Sequence, residues 1–306
     1  LKKAFDAIDH NILIKKLNHY GIRGIASRWL ENYLSTRLQY VFFNNVKSQT
    51  KELLCGVPQG SILGPLLFLL YINDLANISK KLKFILFADD TNVFYAGNNL
   101  DEVASVLNTE LENLALWFKV NRLSLNVDKT NYMIFDNSHK TNDCCIYIDG
   151  TKVNRVHVAK FLRVQVDDKL SWSFHIDSVC RNVSKNISML FNVRWLLNCT
   201  SLYSLYCALI LPYLNYTCEI WGNTYESRTK KLSLLQKKAI RIVDKAQCKD
   251  HTDPIFARYK CLKFHDIVIV KTLIVMFKAN NKSLPVNIQK LFTETRLSIT
   301  MLLDPV

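Results

Sequence analysis

Two adjacent aspartates, Asp89 and Asp90, are the residues of this chain best suited to do chemistry. A short apolar run flanks them on each side, residues 84–88 and 93–96, and both runs are rich in β-branched and aromatic residues. Such runs predict two strands joined by a tight hairpin, with both aspartates in the turn. Two-residue hairpin turns normally favour Asn-Gly or Asp-Gly, so Asp-Asp is a poor choice for structure alone.

The chemistry of this pair is that of a metal ligand. Two carboxylates about 4 Å apart repel by roughly 4 kcal/mol at an effective dielectric constant of 20, and a divalent cation reverses that cost. Mg²⁺ is typically held by one or two carboxylates together with substrate phosphates. The alternative is a solvated acidic turn without a ligand.

The overall charge favours a polyanionic partner. The chain has 306 residues with 40 basic and 26 acidic side chains, a net charge of +14. Residues 171–306 carry 19 of the basic and 9 of the acidic ones, so the excess lies mainly in the last third. This distribution favours nucleic acid as partner, although a basic surface can also serve solubility alone.

Cysteine usage and hydropathy argue against a disulfide framework, a zinc site and a membrane-spanning segment. The nine cysteines form no Cys-x-x-Cys pair, and several lie in apolar surroundings, which predicts reduced thiols in an intracellular protein. Cys248 and His251 lack further ligands at zinc spacing. The longest apolar run, residues 62–72, contains Gly64 and Pro65 and is too short to span a bilayer, so we expect no membrane partner.

The periodicity predicts an α+β fold in two domains. We expect mixed helices and strands over residues 1–170 and only helices over 171–306. Predicted helices cover 7–20, 24–36, 62–75, 100–120, 173–197, 201–215, 227–247 and 265–279; predicted strands cover 39–44, 49–55, 84–88, 93–96 and 161–166, with a small hairpin turning at Asp149-Gly150. The glycines and proline of residues 56–61 predict a rigid loop, and Ser61 a cap for the helix after it.

Four motifs occur in a fixed order: Ala4-Phe5-Asp6-x-x-Asp9-His10, Gly56-Val57-Pro58-Gln59-Gly60-Ser61, Phe87-Ala88-Asp89-Asp90 and Leu125-Asn126-Val127-Asp128-Lys129-Thr130. Together they resemble the palm of a reverse transcriptase, and are most similar to those of non-LTR (LINE-type, jockey-like) retrotransposons. The resemblance extends over residues 211–222 and 235–242, which are similar to the thumb and following region. It implies an antiparallel palm sheet with helices over 1–170, and a helical thumb with a basic C-terminal region over 171–306.

The resemblance also implies roles for individual residues. Asp89 would be the direct Mg²⁺ or Mn²⁺ ligand, and Asp90 a weaker ligand or a source of charge. Gln59 and Gly60 would contact the incoming dNTP and the template. The partners would be an RNA template, a DNA primer and dNTPs, in the cytoplasm and nucleus.

Two further residues have alternatives that stay open. Phe5 occupies the position of the family's steric gate, which excludes a 2′-hydroxyl, but it is also suited to be a core aromatic. Lys129 matches the lysine proposed to protonate pyrophosphate or neutralise its charge, but a solvated loop lysine is the alternative.

The chain departs from the family pattern in ways that predict inactivity. The family motif reads Asp-x-x-x-Ala-Phe-Asp, and its first Asp, the other metal ligand, would stand immediately before Leu1. We therefore expect an N-terminally truncated copy without fingers, with little catalysis of its own. Arg163 replaces the usual Gly after Phe161-Leu162, which puts the family's primer grip in doubt.

Two other hypotheses compete with a polymerase. One is a non-catalytic nucleic-acid-binding remnant of a retroelement, which the basic last third supports. The other is an unrelated metal-dependent phosphotransferase, which would require the motifs to coincide by chance. A remnant should bind nucleic acid with a steep salt dependence and be indifferent to Asp89→Ala, whereas a polymerase should lose activity and keep binding.

Overall fold

The computed structural model describes residues 1–35, 37–136 and 144–292. The chain divides into two compact units, the first covering Leu1–His157 and the second beginning at Val158. This division falls ahead of the boundary expected at residue 170. The assignment of the two parts to palm and thumb stays a prediction.

The first unit combines helices with short strands. Its helices are α1 His10–His19, α2 Ile25–Leu34, α3 Leu63–Ile72 and α4 Leu100–Val120. Its strands are β1 Leu38–Gln39, β2 Phe42–Phe43, β3 Val46–Lys47, β4 Lys51–Glu52, β5 Lys83–Phe87, β6 Asp90–Phe94, β7 Asn131–Tyr132, β8 Tyr147–Ile148, β9 Thr151–Lys152 and β10 Asn154–Arg155. Three 3₁₀ helices lie at Ala4–Asp6, Asn73–Ile78 and Val127–Lys129.

Helix α4 shows why these elements form where they do. Leu111, Leu114 and Phe118 recur at helical spacing and are all buried in the core of the first unit. The side chain of Asn99 accepts a hydrogen bond from the backbone N–H of Asp101 and so caps the first turn. The prediction of a helix over 100–120 is therefore confirmed at both ends.

The strands of the first unit pair locally. In the described part of the chain each ladder has two strands, and β5–β6, β8–β9, β1–β4 and β2–β3 are antiparallel, whereas β7 and β10 pair in parallel. The predicted turn at Asp149-Gly150 is confirmed between β8 and β9. The mixture of helices with short strands confirms the α+β class.

The second unit opens with a hairpin and continues as helices. The hairpin consists of β11 Val158–Phe161 and β12 Val164–Asp167. The helices are α5 Ser173–Val193, α6 Cys199–Leu209, α7 Leu211–Asn215, α8 Cys218–Trp221, α9 Glu226–Val243, α10 Asp253–Arg258, α11 Phe264–Asn280 and α12 Val286–Gln289. Trp221 lies at the centre of this unit, fully buried, with its ring stacked on Phe264 at 5.6 Å.

The prediction of one continuous strand over 161–166 is wrong. The chain turns at Leu162 and Arg163, so that Phe161 pairs with Val164 across a two-residue loop. Both loop residues have positive φ, 44° for Leu162 and 68° for Arg163, as the type I′ turn of a two-residue hairpin requires. The hydroxyl of Tyr216 donates to the carbonyl of Leu162 at 2.7 Å, which fixes the turn from outside.

All nine cysteines lie within the described residues and are free. None of the helices in the described ranges has both the length and the apolar character needed to cross a membrane.

Candidate active site

The β5–β6 hairpin carries the two central aspartates. Its two-residue turn consists of Ala88 and Asp89, and Asp90 is the first residue of β6, paired with Phe87. The prediction that both aspartates lie in the turn is therefore wrong by one position. Ala88 has a φ of 49°, a conformation that costs a non-glycine residue about 1 kcal/mol or more. Strain of this kind is often retained where a turn has a functional task.

The two faces of this hairpin have different surroundings, because successive side chains of a strand point to opposite faces. Phe84, Leu86 and Val93 pack against the core of the first unit. The opposite face carries Phe87 and its partner Asp90, both exposed, while Asp89 in the turn is half-buried. The core thus anchors one face of the hairpin, and the carboxylates lie at its accessible tip.

Within the described part of the chain, neither carboxylate is engaged by another side chain. Within residues 1–35, 37–136 and 144–292, no ion pair or side-chain hydrogen bond involves Asp89 or Asp90. Two neighbouring carboxylates without a protein partner match the ligand preference of Mg²⁺, so the donor chemistry fits that ion. No group of three or more His, Cys, Asp or Glu side chains in the described ranges is arranged to hold a metal, so the pair supplies only part of a coordination sphere.

A second part of the candidate site joins two motifs that are far apart in sequence. The backbone N–H of Gly56 donates to the carbonyl of Ile8 at 2.7 Å, and the N–H of Val57 donates to the carbonyl of Phe5 at 2.8 Å. The side-chain amide of Gln59 donates to Oδ1 of Asp6 at 2.8 Å. The structure therefore brings the loop of residues 56–61 directly onto the 3₁₀ helix Ala4–Asp6.

Gly56 is what allows this close approach. Its φ is 88°, and a Cβ atom at this position would lie 2.9 Å from both the Cα and the carbonyl oxygen of Asp6. An L-residue with a side chain is therefore excluded by conformation and by contact. At Gly56 the backbone of the loop therefore packs directly against the backbone of Asp6.

The residues with predicted nucleotide contacts lie at the surface of this loop. Gln59 and Gly60 are exposed, and Gly60 has a φ of 83°. The hydroxyl of Ser61 donates to the carbonyl of Pro58 at 2.8 Å and accepts from the N–H of Gly64 at 3.0 Å. Ser61 thus supplies the predicted capping bond, although α3 begins two residues later at Leu63.

Phe5 is half-buried, and its ring centroid lies 4.7 Å from that of Phe68 in α3. This packing leaves part of the Phe5 side chain accessible, so the roles of steric gate and of core aromatic are both compatible with the structure. Lys129 is exposed at the end of the 3₁₀ helix Val127–Lys129.

Sequence reasoning missed the residues that hold these motifs in place. Asp9 caps α1 by accepting from the N–H of Ile12 at 3.0 Å, and its other oxygen pairs with Arg122 at 2.6 Å. Nε2 of His10 lies 2.7 Å from the carbonyl oxygen of Gly56. An aspartate immediately before a helical pattern was a readable signal for the cap, but no sequence pattern indicates the pairing with Arg122.

Comparison with known proteins identifies the family. Residues 1–173 match the model of the family described as reverse transcriptase (RNA-dependent DNA polymerase). The chain is 27% identical over 259 residues to a probable RNA-directed DNA polymerase from transposon X-element of Drosophila melanogaster, covering 79% of this chain and 27% of that protein.

Two further relatives agree with this match. The chain is 29% identical over 263 residues to a probable RNA-directed DNA polymerase from transposon BS of Drosophila melanogaster, covering 79% of this chain and 28% of that protein. It is 25% identical over 280 residues to an RNA-directed DNA polymerase from mobile element jockey of Drosophila funebris, covering 87% of this chain and 30% of that protein.

These relatives set the scale of the comparison. The chain spans 27% to 30% of the length of these three relatives. The family generally uses a divalent metal ion. The predicted resemblance to enzymes of LINE-type, non-LTR elements is confirmed, and the chain belongs to the reverse transcriptase (RNA-dependent DNA polymerase) family.

Proposed function

We propose that this chain carries the palm of an RNA-directed DNA polymerase of a non-LTR retrotransposon. The reaction is Mg²⁺-dependent nucleotidyl transfer from a dNTP to the 3′-hydroxyl of a DNA primer on an RNA template. The observation that carries the proposal is the pair Asp89 and Asp90 at the tip of the β5–β6 hairpin, within the segment that matches the family. Among the described residues, no side chain pairs with either carboxylate. The basic net charge of +14 suits a nucleic-acid partner.

The roles follow from donor chemistry and position. Asp89 and Asp90 would hold Mg²⁺ or Mn²⁺, with Asp89 as the direct ligand. When bound, the metal activates the attacking hydroxyl and stabilises the leaving pyrophosphate. Lys129 offers an exposed ammonium that can neutralise charge on pyrophosphate.

The loop residues act on the nucleotide. Gln59 and Gly60 lie at the surface of a loop that backbone and side-chain hydrogen bonds hold against the first motif. Their backbone and the Gln59 amide are therefore presented on a fixed support, as substrate positioning requires. Phe5, anchored by Phe68, is the proposed gate beneath the sugar.

We also propose that the 306-residue chain by itself extends primers poorly. The described residues offer the carboxylate pair and no third acidic or histidine ligand beside it. Substrate phosphates would then have to supply much of the coordination sphere, and the metal would be held weakly. The second candidate function is nucleic-acid binding without catalysis. The lack of a third ligand beside the carboxylate pair among the described residues favours it, and so does the basic last third.

The test is primer extension on a primed RNA template with Mg²⁺. The samples are the 306-residue chain, its Asp89→Asn variant, and both again with an added Asp before Leu1 and an upstream segment taken from a longer relative. Asp101→Asn is the matched control, because Asp101 is an exposed aspartate in the first turn of α4 and has no proposed role.

We expect extension from the lengthened chain only, abolished by Asp89→Asn and kept by Asp101→Asn. Extension by the 306-residue chain that depends on Asp89 would show that another group completes the metal site. Extension that is indifferent to Asp89→Asn in every version would contradict the proposed site, and binding without extension in every version would favour the non-catalytic function.

A further inference from the structure

Residues 38–52 form a projecting arm that the proposed function does not explain. Strands β1 and β4 pair at its base and β2 and β3 at its tip. The tip turns at Asn44 and Asn45, whose φ values of 46° and 61° are typical of a tight two-residue hairpin turn. We call this segment the aromatic arm.

The arm contains a bulge that increases its twist. The paired residues Gln39 and Lys51 at the base are followed toward the tip by the pair Phe42 and Lys47. Between these two pairs the first strand of the arm advances by three residues, from 39 to 42, and the second by four, from 47 to 51. The second strand therefore contains one extra residue, which defines a β-bulge. Bulges of this kind re-aim side chains at functional edges.

The apolar side chains of the arm are exposed rather than buried. Phe42 is 64% exposed and Phe43 71% exposed, and the other large apolar residues of the arm are likewise exposed: Leu38, Tyr40, Val41 and Val46. Exposed apolar side chains concentrated in one segment mark an interaction site more often than scattered single ones do.

The two faces of the arm differ in chemistry. Cross-strand partners share a face, so Phe42 lies beside Lys47 on one face, and Phe43 lies beside Val46 on the other. Alternation places Tyr40 on the face of Phe42, and Nζ of Lys47 lies 3.9 Å from the centre of the Tyr40 ring. One face thus presents two aromatic rings with a cation, and the other presents aliphatic groups and a single ring.

The charge of the arm selects among partners. The arm and the residue before it contain three basic side chains, Arg37, Lys47 and Lys51, and one acidic side chain, Glu52, which pairs with Leu38 at the base. Aromatic rings interleaved with cations are the combination that binds single-stranded nucleic acid, through base stacking and phosphate contacts. An apolar protein partner would not require this excess of basic side chains.

The arm is rooted at the candidate active site. The N–H of Leu53 donates to the carbonyl of Arg37 at 2.9 Å, which closes the base of the arm. Two residues later Cys55 pairs with Asp9 in an isolated bridge, and Gly56 begins the loop that contacts Asp6. A strand held on the arm would therefore lie against the support of the proposed nucleotide contacts.

We propose that the face bearing Tyr40, Phe42 and Lys47 binds single-stranded RNA, with bases stacked on the two rings and Lys47 on a phosphate. This inference rests on the proposed function for the identity of the RNA, which would be the template ahead of the primer end. It assigns the arm a role of its own, separate from metal binding and from chemistry.

The test measures binding without catalysis. A fluorescein-labelled, unstructured single-stranded RNA of about 20 nucleotides is titrated with the full chain, without metal or dNTP, and binding is followed by anisotropy. The variants are Phe42→Leu, Phe42→Trp and, as matched control, Phe43→Leu. Phe43 is the same residue type, one position away, similarly exposed and on the opposite face. A blunt RNA duplex of equal length is the competitor.

We expect Phe42→Leu to weaken single-strand binding about tenfold, since loss of one stacked base has an effect of that order. Phe42→Trp should keep the affinity because it keeps a ring, and Phe43→Leu should change it less than twofold. Duplex binding should be unaffected by all three. Equal effects of the two leucine variants, or full affinity of Phe42→Leu, would overturn the proposal and point to apolar docking of another partner.

This outcome is independent of the polymerase test. Asp89→Asn should bind RNA normally, because Asp89 lies on another hairpin. If Phe42→Leu weakens RNA binding and Phe43→Leu does not, but no extension depends on Asp89, the RNA-binding role of the arm holds and the polymerase function fails. If extension depends on Asp89 but the two leucine variants bind RNA equally, the polymerase function holds and the role of the arm fails.

Discussion

The side-chain amide of Gln59 donates a hydrogen bond of 2.8 Å to Oδ1 of Asp6, across 53 positions of sequence. Together with the backbone bonds from Gly56 and Val57, it holds the exposed loop onto the 3₁₀ helix at the start of the chain. Asp6 is therefore a positioning residue for Gln59 in this structure, and its role can be tested separately from any metal chemistry.

Substitutions of Asp6 should show that position 6 needs a side chain that accepts the hydrogen bond from Gln59. Asp6→Ala removes the acceptor and should lower the free energy of unfolding by about 1 kcal/mol, the usual contribution of such a bond. Asp6→Asn keeps an acceptor oxygen and should lower it by less. Urea unfolding followed by circular dichroism measures both, and equal losses would show that the bond to Gln59 contributes nothing.

The two glycines of the loop should respond unequally to the same substitution. Gly56→Ala introduces both an unfavourable φ and a methyl group 2.9 Å from the Asp6 backbone, and we expect a loss of about 3 kcal/mol. Gly60 has a similar φ, but a Cβ atom there would have no neighbour within 4 Å. Gly60→Ala should therefore lower the free energy of unfolding by only about 1 kcal/mol. Thermal unfolding of the two variants isolates the contact, and equal losses would contradict it.

Arg163 should be a stability defect in the second unit. Its φ of 68° in the β11–β12 turn is unfavourable for any side chain except those of Asn and Asp, and costless for Gly. Arg163→Gly and Arg163→Asn should raise the free energy of unfolding by about 1 kcal/mol, whereas Arg163→Ala removes the charge and keeps the strain. If the alanine variant were stabilised as much as the glycine one, charge rather than backbone conformation would be the cause.

His175 should make the second unit sensitive to mild acid. It is buried against Trp221 with ring centroids 5.0 Å apart, and its Nδ1 accepts from the N–H of Gln165 at 3.3 Å. Burial lowers the pKa of His175 below its ordinary value, so the unfolded chain binds the proton more readily. Stability should therefore fall as the pH drops below about 6.5 toward the folded-state pKa.

The control for this prediction is His175→Gln, which keeps an acceptor and cannot be protonated in this range. Urea unfolding between about pH 7 and pH 5 should show a shallower pH dependence for this variant than for the parent chain. An unchanged slope would mean that other groups cause the acid sensitivity.

Local patterns predicted the helices well and the turns less well. Helix α4 was predicted to its ends because its apolar stripe is a local signal, and the structure adds the Asn99 cap at its start. The turn at Leu162 and Arg163 was missed because neither residue is a turn former, and the contact from Tyr216 that fixes it comes from another part of the chain. The aspartate turn was misplaced by one residue because the pairing of Phe87 with Asp90 sets it.

The sequence by itself determined the family, the α+β class and the adjacency of Asp89 and Asp90, because residue types and their spacing carry that information directly. The tertiary structure decided that Asp6 meets Gln59, that Gly56 touches the Asp6 backbone, and that the aromatic arm is exposed. Contacts between residues far apart in sequence depend on the path of the whole backbone. Exposure depends on what packs against a side chain, which no local pattern records.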